Sequence, residues 1–201
     1  MQSSAIFPVF YLPPVNYISD LKRFGADFLV EGWEHFVKQT YRNRAKIYSP
    51  NGPLDLIVPV VKGSKVHTKM KDVRISYDLR WQKLHWKSLE SCYRSSAYFE
   101  FYEAELVGFY EKRYDFLMDL DLELTAWLLK QLKLELPLRQ TAAYTTDAAH
   151  DFRAIYSAKQ AVSDTGFKPY FQVFDDRQGF LPNLSIVDLL FNQGPQAKQY
   201  L

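Results

Sequence analysis

Two strongly apolar runs flank a short helix-patterned segment within the first 33 residues, and this arrangement constrains the fold more than any other feature. Ala5 to Tyr11 reads as a buried strand, ended at Pro13-Pro14 because proline lacks the donor a ladder requires. Val15 to Phe24 reads as a helix, with Tyr17, Ile18, Leu21 and Phe24 on one face and Gly25 as its C-terminal cap. Ala26 to Trp33 is a second strand built on the run Phe28-Leu29-Val30. Strand, short helix and strand make a βαβ unit, which predicts parallel pairing and a right-handed crossover.

The middle of the chain reads differently. Tyr41 to Tyr48 alternates, with Arg42, Arg44 and Lys46 on one face and Tyr41, Ala45 and Ile47 on the other. Pro50-Asn51-Gly52-Pro53 is a turn, and Leu54 to Val61 a strand that Pro59 confines to an edge or a bend. Gly63 to Lys71 reads as an exposed basic loop and Val73 to Tyr77 as a half-buried strand. Asp78 is placed to cap a helix from Leu79 to Tyr93, whose stripe is Trp81, Leu84, His85, Ser88, Leu89 and Cys92. Ser96 to Leu136 is helical and acidic, stopped by Pro137. A strand is expected near Gln140 to Thr145, a polar connection from Thr146 to Gly166, a strand from Lys168 to Phe174, a turn at Asp175 to Gly179 and a short helix from Ser185 to Asn192. The expected fold is a single α/β domain over residues 1–201: a mixed sheet opened by a parallel βαβ unit, with a mid-chain helical bundle packed on it.

Composition removes several classes. Hydrophobic residues are 47% of 201 and aromatics 16%, which excludes a disordered chain. A net charge of +2 excludes a polycation, so nucleic acid is not the favoured partner despite the basic stretch from Arg42 to Arg74. No run is long and apolar enough for a membrane span, and the proline-broken N-terminus has no basic leader. A lone cysteine, Cys92, suits a reducing, cytoplasmic setting. Four scattered histidines without ligand spacing predict no metal, and the absence of GxGxxG, GxxxxGK[ST] and GxSxG predicts no cofactor or nucleophile elbow of those kinds.

Chemistry concentrates in Lys38-Gln39-Thr40-Tyr41-Arg42-Asn43-Arg44. On a strand, Arg42 and Arg44 project from one face, and two guanidinium forks with Lys38 beside them can hold a phosphate. The competing structural reading is a basic strand face neutralised by the acidic helices from Glu100 to Glu123. Glu34 and His35 follow an apolar strand, where α/β sheets place ligand sites, and histidine suits proton transfer near neutral pH. His85 fits a buried, hydrogen-bonded core histidine, and Ser185 with Asp188 has capping-box spacing with Asp in place of Glu, so none of the three is assigned to catalysis.

The stretch EHFVKQTYRNRAKIYSPNGPLDLIVPV, then KDVRISYDLRWQKLHWKSLESCY and FLPNLSIVDLLFNQG, resembles the WbqC-like family of bacterial proteins in its Bacteroidetes branch. Some members are encoded among O-antigen biosynthesis genes, so the resemblance implies a link to surface polysaccharide. The implied function is a transferase acting on a nucleotide-linked or phosphorylated sugar, with Lys38, Arg42 and Arg44 on the phosphates, His35 as the proton-transfer residue, and Tyr11 and Asn43 positioning the sugar. The alternative is a non-catalytic interaction protein with a protein partner in a biosynthetic complex, which the aromatic content suits. One departure stands out: Tyr11-Leu12-Pro13 matches the family, but Phe7 and Pro8 stand where many members carry His and Gln.

Overall fold

The computed structural model describes residues 5–61, 67–158 and 166–201. The βαβ unit forms as the pattern predicts. β1 (Ala5–Pro8) lies parallel to β2 (Phe28–Glu31), with Ala5 opposite Phe28 and Pro8 opposite Glu31. Between them runs α1 (Val15–Phe24), which buries Val15, Tyr17, Ile18 and Leu21 and stops at Gly25. Gly25 sits at φ 59, a left-handed conformation that glycine adopts without a Cβ penalty.

Two central strands form an antiparallel hairpin. β3 (Arg44–Ser49) pairs β4 (Gly52–Ile57) across the predicted turn, with Lys46 opposite Asp55 and Ile47 opposite Leu54. Beyond β4 the expected strand at Val73 to Tyr77 makes only isolated bridges, Ile75 with Val60 and Arg74 with Phe116. The second bridge explains why Ser96 to Leu136 is not one helical run. Residues 112–116 leave the helix to lie beside this segment, so the run divides into α3 (Phe99–Glu111) and α4 (Leu117–Gln131). α2 (Trp81–Tyr93) begins two residues later than expected, and its N-cap residue is Arg80, without a side-chain cap. Asp78 instead accepts the Ser76 hydroxyl at 2.8 Å. Leu84, expected in the buried stripe, is exposed, while Trp81, His85, Leu89 and Cys92 are buried.

The third strand of the parallel sheet lies in the connection that read as polar. β5 (His150–Asp151) pairs on the far side of β1, giving the order β2-β1-β5, and Gln140 contributes only a single bridge to Val30. Lys168 to Phe174 joins no ladder and ends in a turn at Val173-Phe174; α5 (Asp175–Gln178) takes the place of the expected turn. Part of the expected basic loop, residues 62–66, lies outside the described residues.

The last helix, α6 (Ile186–Gln193), is the hub. Residues from Ile186 to Asn192 are all buried, and the helix packs against α1, α3 and β3. Ser185 caps it, accepting from Val187 N–H and donating to the Leu12 carbonyl at 2.8 Å. The neighbouring segment is stitched to the start of the chain: Val15 N–H donates to Leu184 O, Ile186 N–H to Pro13 O, and Asn16 N–H to the Asn183 side chain. These contacts hold Leu12 at φ 40, an unfavourable value for a branched residue before proline.

Candidate functional site

At the carboxyl ends of β1, β2 and β5 the chain gathers five charged side chains. Glu31 is the last residue of β2 and is 0% exposed. Its Oε1 accepts from Trp33 N–H (2.6 Å) and the Thr141 hydroxyl (2.9 Å), and its Oε2 from Arg153 Nη1 (3.3 Å). Arg153 follows β5 by two residues and grips Asp151 with two nitrogens, at 2.9 and 2.5 Å. That grip holds the Asp151 carboxyl below its ordinary range. Three residues beyond Glu31, Glu34 takes Arg42 as a bidentate partner, Nε to Oε1 at 2.9 Å and Nη2 to Oε2 at 2.7 Å. Arg42 Nη2 also donates to the Arg153 carbonyl at 3.0 Å, which ties the two ion pairs together. The Glu34–Arg42 pair is almost sealed, with side-chain exposures of 8% and 4%. Burial pushes the Glu34 carboxyl up, and the Arg42 guanidinium opposes that shift.

Close packing shapes the entry to this edge. A Cβ on Gly32 would lie 2.8 Å from Met118 Sδ and Cε, so the backbone passes α4 where only glycine fits without displacement. The segment after Gly32 is held by residues 68–71: Lys71 N–H donates to Gly32 O, Met70 N–H to Glu34 O, and Phe36 N–H to Thr68 O. The rim is cationic. Lys69 and Lys71 lie 4.5 and 4.6 Å from the Trp33 ring centroid, His35 and His67 rings are 4.9 Å apart, and Lys38 is exposed.

Three of the residues singled out from sequence, His35, Lys38 and Arg42, lie on the segment that carries this edge. The cradle of two open guanidinium forks does not form. Arg42 precedes β3 and is consumed by Glu34, while Arg44 Nη1 binds Asp55 at 3.0 Å and Lys46 binds the same carboxylate at 3.2 Å. Cross-strand register is the cause, because Asp55 sits opposite Lys46 and diagonal to Arg44. Neutralisation is therefore local; the acidic helices spend their carboxylates on Arg94 and Lys112. Asn43 is a structural pin, its side-chain amide donating to Val58 O at 2.9 Å.

Tyr11 is in the core, remote from solvent. Its hydroxyl lies in hydrogen-bond contact with His85 Nδ1 (2.9 Å) and with the Tyr110 hydroxyl (2.8 Å), and His85 also bonds the Ile57 backbone. Burial lowers the His85 pKa to about 4, so it is a neutral core histidine, the structural reading its helical stripe suggested. Phe7 is stacked on Phe152 at 4.3 Å and 6°.

Glu31, Asp151 and Arg153 were not visible as site residues in the sequence. The signal for Glu31 was its place directly after Phe28-Leu29-Val30; for the other two, the recognition of a two-residue strand was required. Asp188 also has a larger role than its capping-box spacing predicts. Its carboxylate does not reach back to Ser185 N–H, which donates to Lys46 O. Instead it accepts from Tyr93 (2.8 Å), Tyr170 (2.7 Å) and Gln172 (2.9 Å), and burial raises its pKa to about 6. No helix among the described residues is long and apolar enough to cross a membrane.

Comparison with known proteins agrees with the resemblance. The uncharacterized protein Rv1507c of Mycobacterium tuberculosis is 28% identical, in an alignment that covers all of this chain and 98% of that protein. No solved structure matches the chain. The profile of the WbqC-like protein family matches residues 9–172, from the residue after β1 to Gln172, which serves Asp188. The chain belongs to the WbqC-like protein family.

Proposed function

We propose that this protein binds a phosphorylated or nucleotide-linked sugar at the carboxyl edge of its parallel sheet and acts as a transferase in surface-polysaccharide metabolism. The observation that carries this reading is the convergence of Glu31, Glu34, Arg42, Asp151 and Arg153 at the ends of β2 and β5, where α/β folds bind ligands. The roles differ from those of an open arginine cradle. Asp151, fixed by Arg153 and half exposed, is an acceptor for sugar hydroxyls, the buried Glu34–Arg42 pair braces the edge, and the exposed Lys38 with Lys69 supplies charge to phosphate oxygens. His35, exposed on the same segment, takes the proton of the acceptor hydroxyl as its oxygen bonds the anomeric carbon; the bond to phosphate breaks and the phosphate leaves with the electron pair.

Thermal shift against a panel of UDP-glucose, GDP-mannose and glucose 1-phosphate tests the reading. A ligand at about a hundred times its Kd stabilises by roughly 2.7 kcal/mol, a rise of about 5–10 °C for a chain of this size. The Lys38→Ala/Lys69→Ala double variant removes charge without opening a buried pair and should abolish the shift. A panel without any shift, or a shift that persists in the double variant, rejects the site.

A second reading, a non-catalytic interaction protein, draws on one observation. Leu54, Ile57 and Val61 are exposed along β4 and its continuation, with Ile57 44% and Val61 52% accessible. Ile57→Lys should release a co-purifying partner on this reading, and no partner is lost if the edge is merely solvated.

A further inference from the structure

A cavity lies away from the carboxyl edge, between the start of α2 and the end of α3, with a volume of about 420 Å³. That is within the roughly 300–1,000 Å³ of small-molecule sites. Trp81, Trp86, Tyr77 and Tyr110 line it with flat aromatic surface. Tyr110 contributes only its ring, because its hydroxyl is engaged with Tyr11. The cations Arg80, Lys83 and Arg113 also line it, and none has a carboxylate partner among the described residues; Glu111 is the one acid in the lining.

Two features mark the cavity as unsatisfied. Trp81 is only 3% exposed, yet its indole N–H has no hydrogen-bond partner. Indole only donates, so the missing group is an acceptor. In addition, α2 begins at this point with Arg80 at the N-cap and no side-chain cap, leaving the positive end of a thirteen-residue helix without an internal acceptor. An anion answers both, and flat walls answer to a flat ring.

We propose that this cavity binds an anion carried on a planar ring, a nucleoside monophosphate or an aromatic carboxylate, with the ring against the partly exposed Trp86 and the anion at the start of α2 beside Trp81. The site is independent of the carboxyl edge and nothing in the sugar-binding reading requires it.

Isothermal titration with AMP, UMP, indole-3-carboxylate, adenosine and inorganic phosphate tests the proposal. AMP or UMP binding identifies a nucleotide site; indole-3-carboxylate binding alone identifies a carboxylate site. Adenosine and phosphate, each with half of the required chemistry, should bind at least tenfold more weakly than the winning ligand. Trp81→Phe removes the orphan donor together with part of the buried indole. It should lower the melting temperature of the free protein, because packing against His85 and Tyr110 is lost, and weaken the ligand at least tenfold at a temperature where the variant is still folded. Lys83→Ala/Arg113→Ala should weaken it as much and flatten its salt dependence, while Lys38→Ala/Lys69→Ala leaves it intact. Failure of all three anionic ring compounds to bind overturns the proposal, and so does wild-type affinity in Trp81→Phe.

Discussion

Replacing Arg42 by alanine removes the partner of a carboxylate that has little access to water. Two charge-assisted bonds to Glu34 disappear, at 2.9 and 2.7 Å, together with the 3.0 Å bond to the Arg153 carbonyl and the guanidinium 5.8 Å from the Phe10 ring. Stranding one member of a buried pair costs about 3–5 kcal/mol, most of it from the charge left behind. In a domain of this size each kcal/mol moves Tm by roughly 2–4 °C, so Arg42→Ala should melt about 6–20 °C below wild type at pH 7. The deficit should shrink on acidification. Burial already raises the Glu34 carboxyl, and losing Arg42 removes the main opposing charge, so the variant's Glu34 binds its proton at higher pH folded than unfolded. Stability tied to that proton is present at low pH and is lost as pH rises through the carboxyl range and beyond. Melting by circular dichroism at pH 5 and pH 7 measures both effects. The double variant Glu34→Met/Arg42→Met, which leaves no stranded charge, should recover most of the loss. An Arg42→Ala melting point within 2 °C of wild type, or a double variant no better than the single one, refutes the reasoning. It follows that Arg42→Ala is a poor probe of ligand binding, since it perturbs the fold first.

Other expectations follow from the core. Asp188, raised from 3.8 to about 6 by burial, holds its proton in the folded state after the unfolded chain has released it; its contribution is present below pH 4 and falls by roughly 3 kcal/mol as pH rises to 6. Urea titrations of Asp188→Asn against wild type should show that slope missing in the variant. His85 runs the other way: lowered from 6.5 to about 4 by burial, it is charged in the unfolded chain while still neutral in the fold, so its contribution is present above pH 6.5 and declines by roughly 3 kcal/mol towards pH 4. The same titrations on His85→Gln should show a shallower acid loss than wild type. Tyr11→Phe leaves His85 Nδ1 and the Tyr110 hydroxyl without their shared partner and should cost about 1–3 kcal/mol, read as a lower urea midpoint with unchanged slope.

Periodicity revealed what depends on local pattern. The βαβ unit, the 44–57 hairpin and the last helix are legible because apolar spacing, Pro-Asn-Gly-Pro and Gly194 act within a few residues. The break between α3 and α4 was not legible, because it exists to pair with residues 73–75, far away in sequence. β5 is too short for any alternation to register. At the site, Arg42 was recognised as chemically important, but its partner Glu34 is chosen by the path of the chain around the sheet edge. Arg44 and Asp55 were separable from a ligand cradle only once hairpin register was known. Asp188 shows the same limit: its helix position suggested a cap, whereas Tyr93 and Tyr170 come from distant segments to claim it.

The stitching of residues 183–186 to residues 12–16 has a consequence for biosynthesis. The first strand, the turn at Leu12-Pro13 and the first helix leave the ribosome early, yet the carbonyls and donors they need are supplied by segments translated more than 160 residues later. Until then Tyr11, Leu12, Ile18 and Leu21, all destined for the interior, are without α6 as a cover. A nascent chain stalled before Ser185 should therefore remain protease-sensitive at its front end and recruit holdase chaperones, and completion of the core should wait until α6 has emerged.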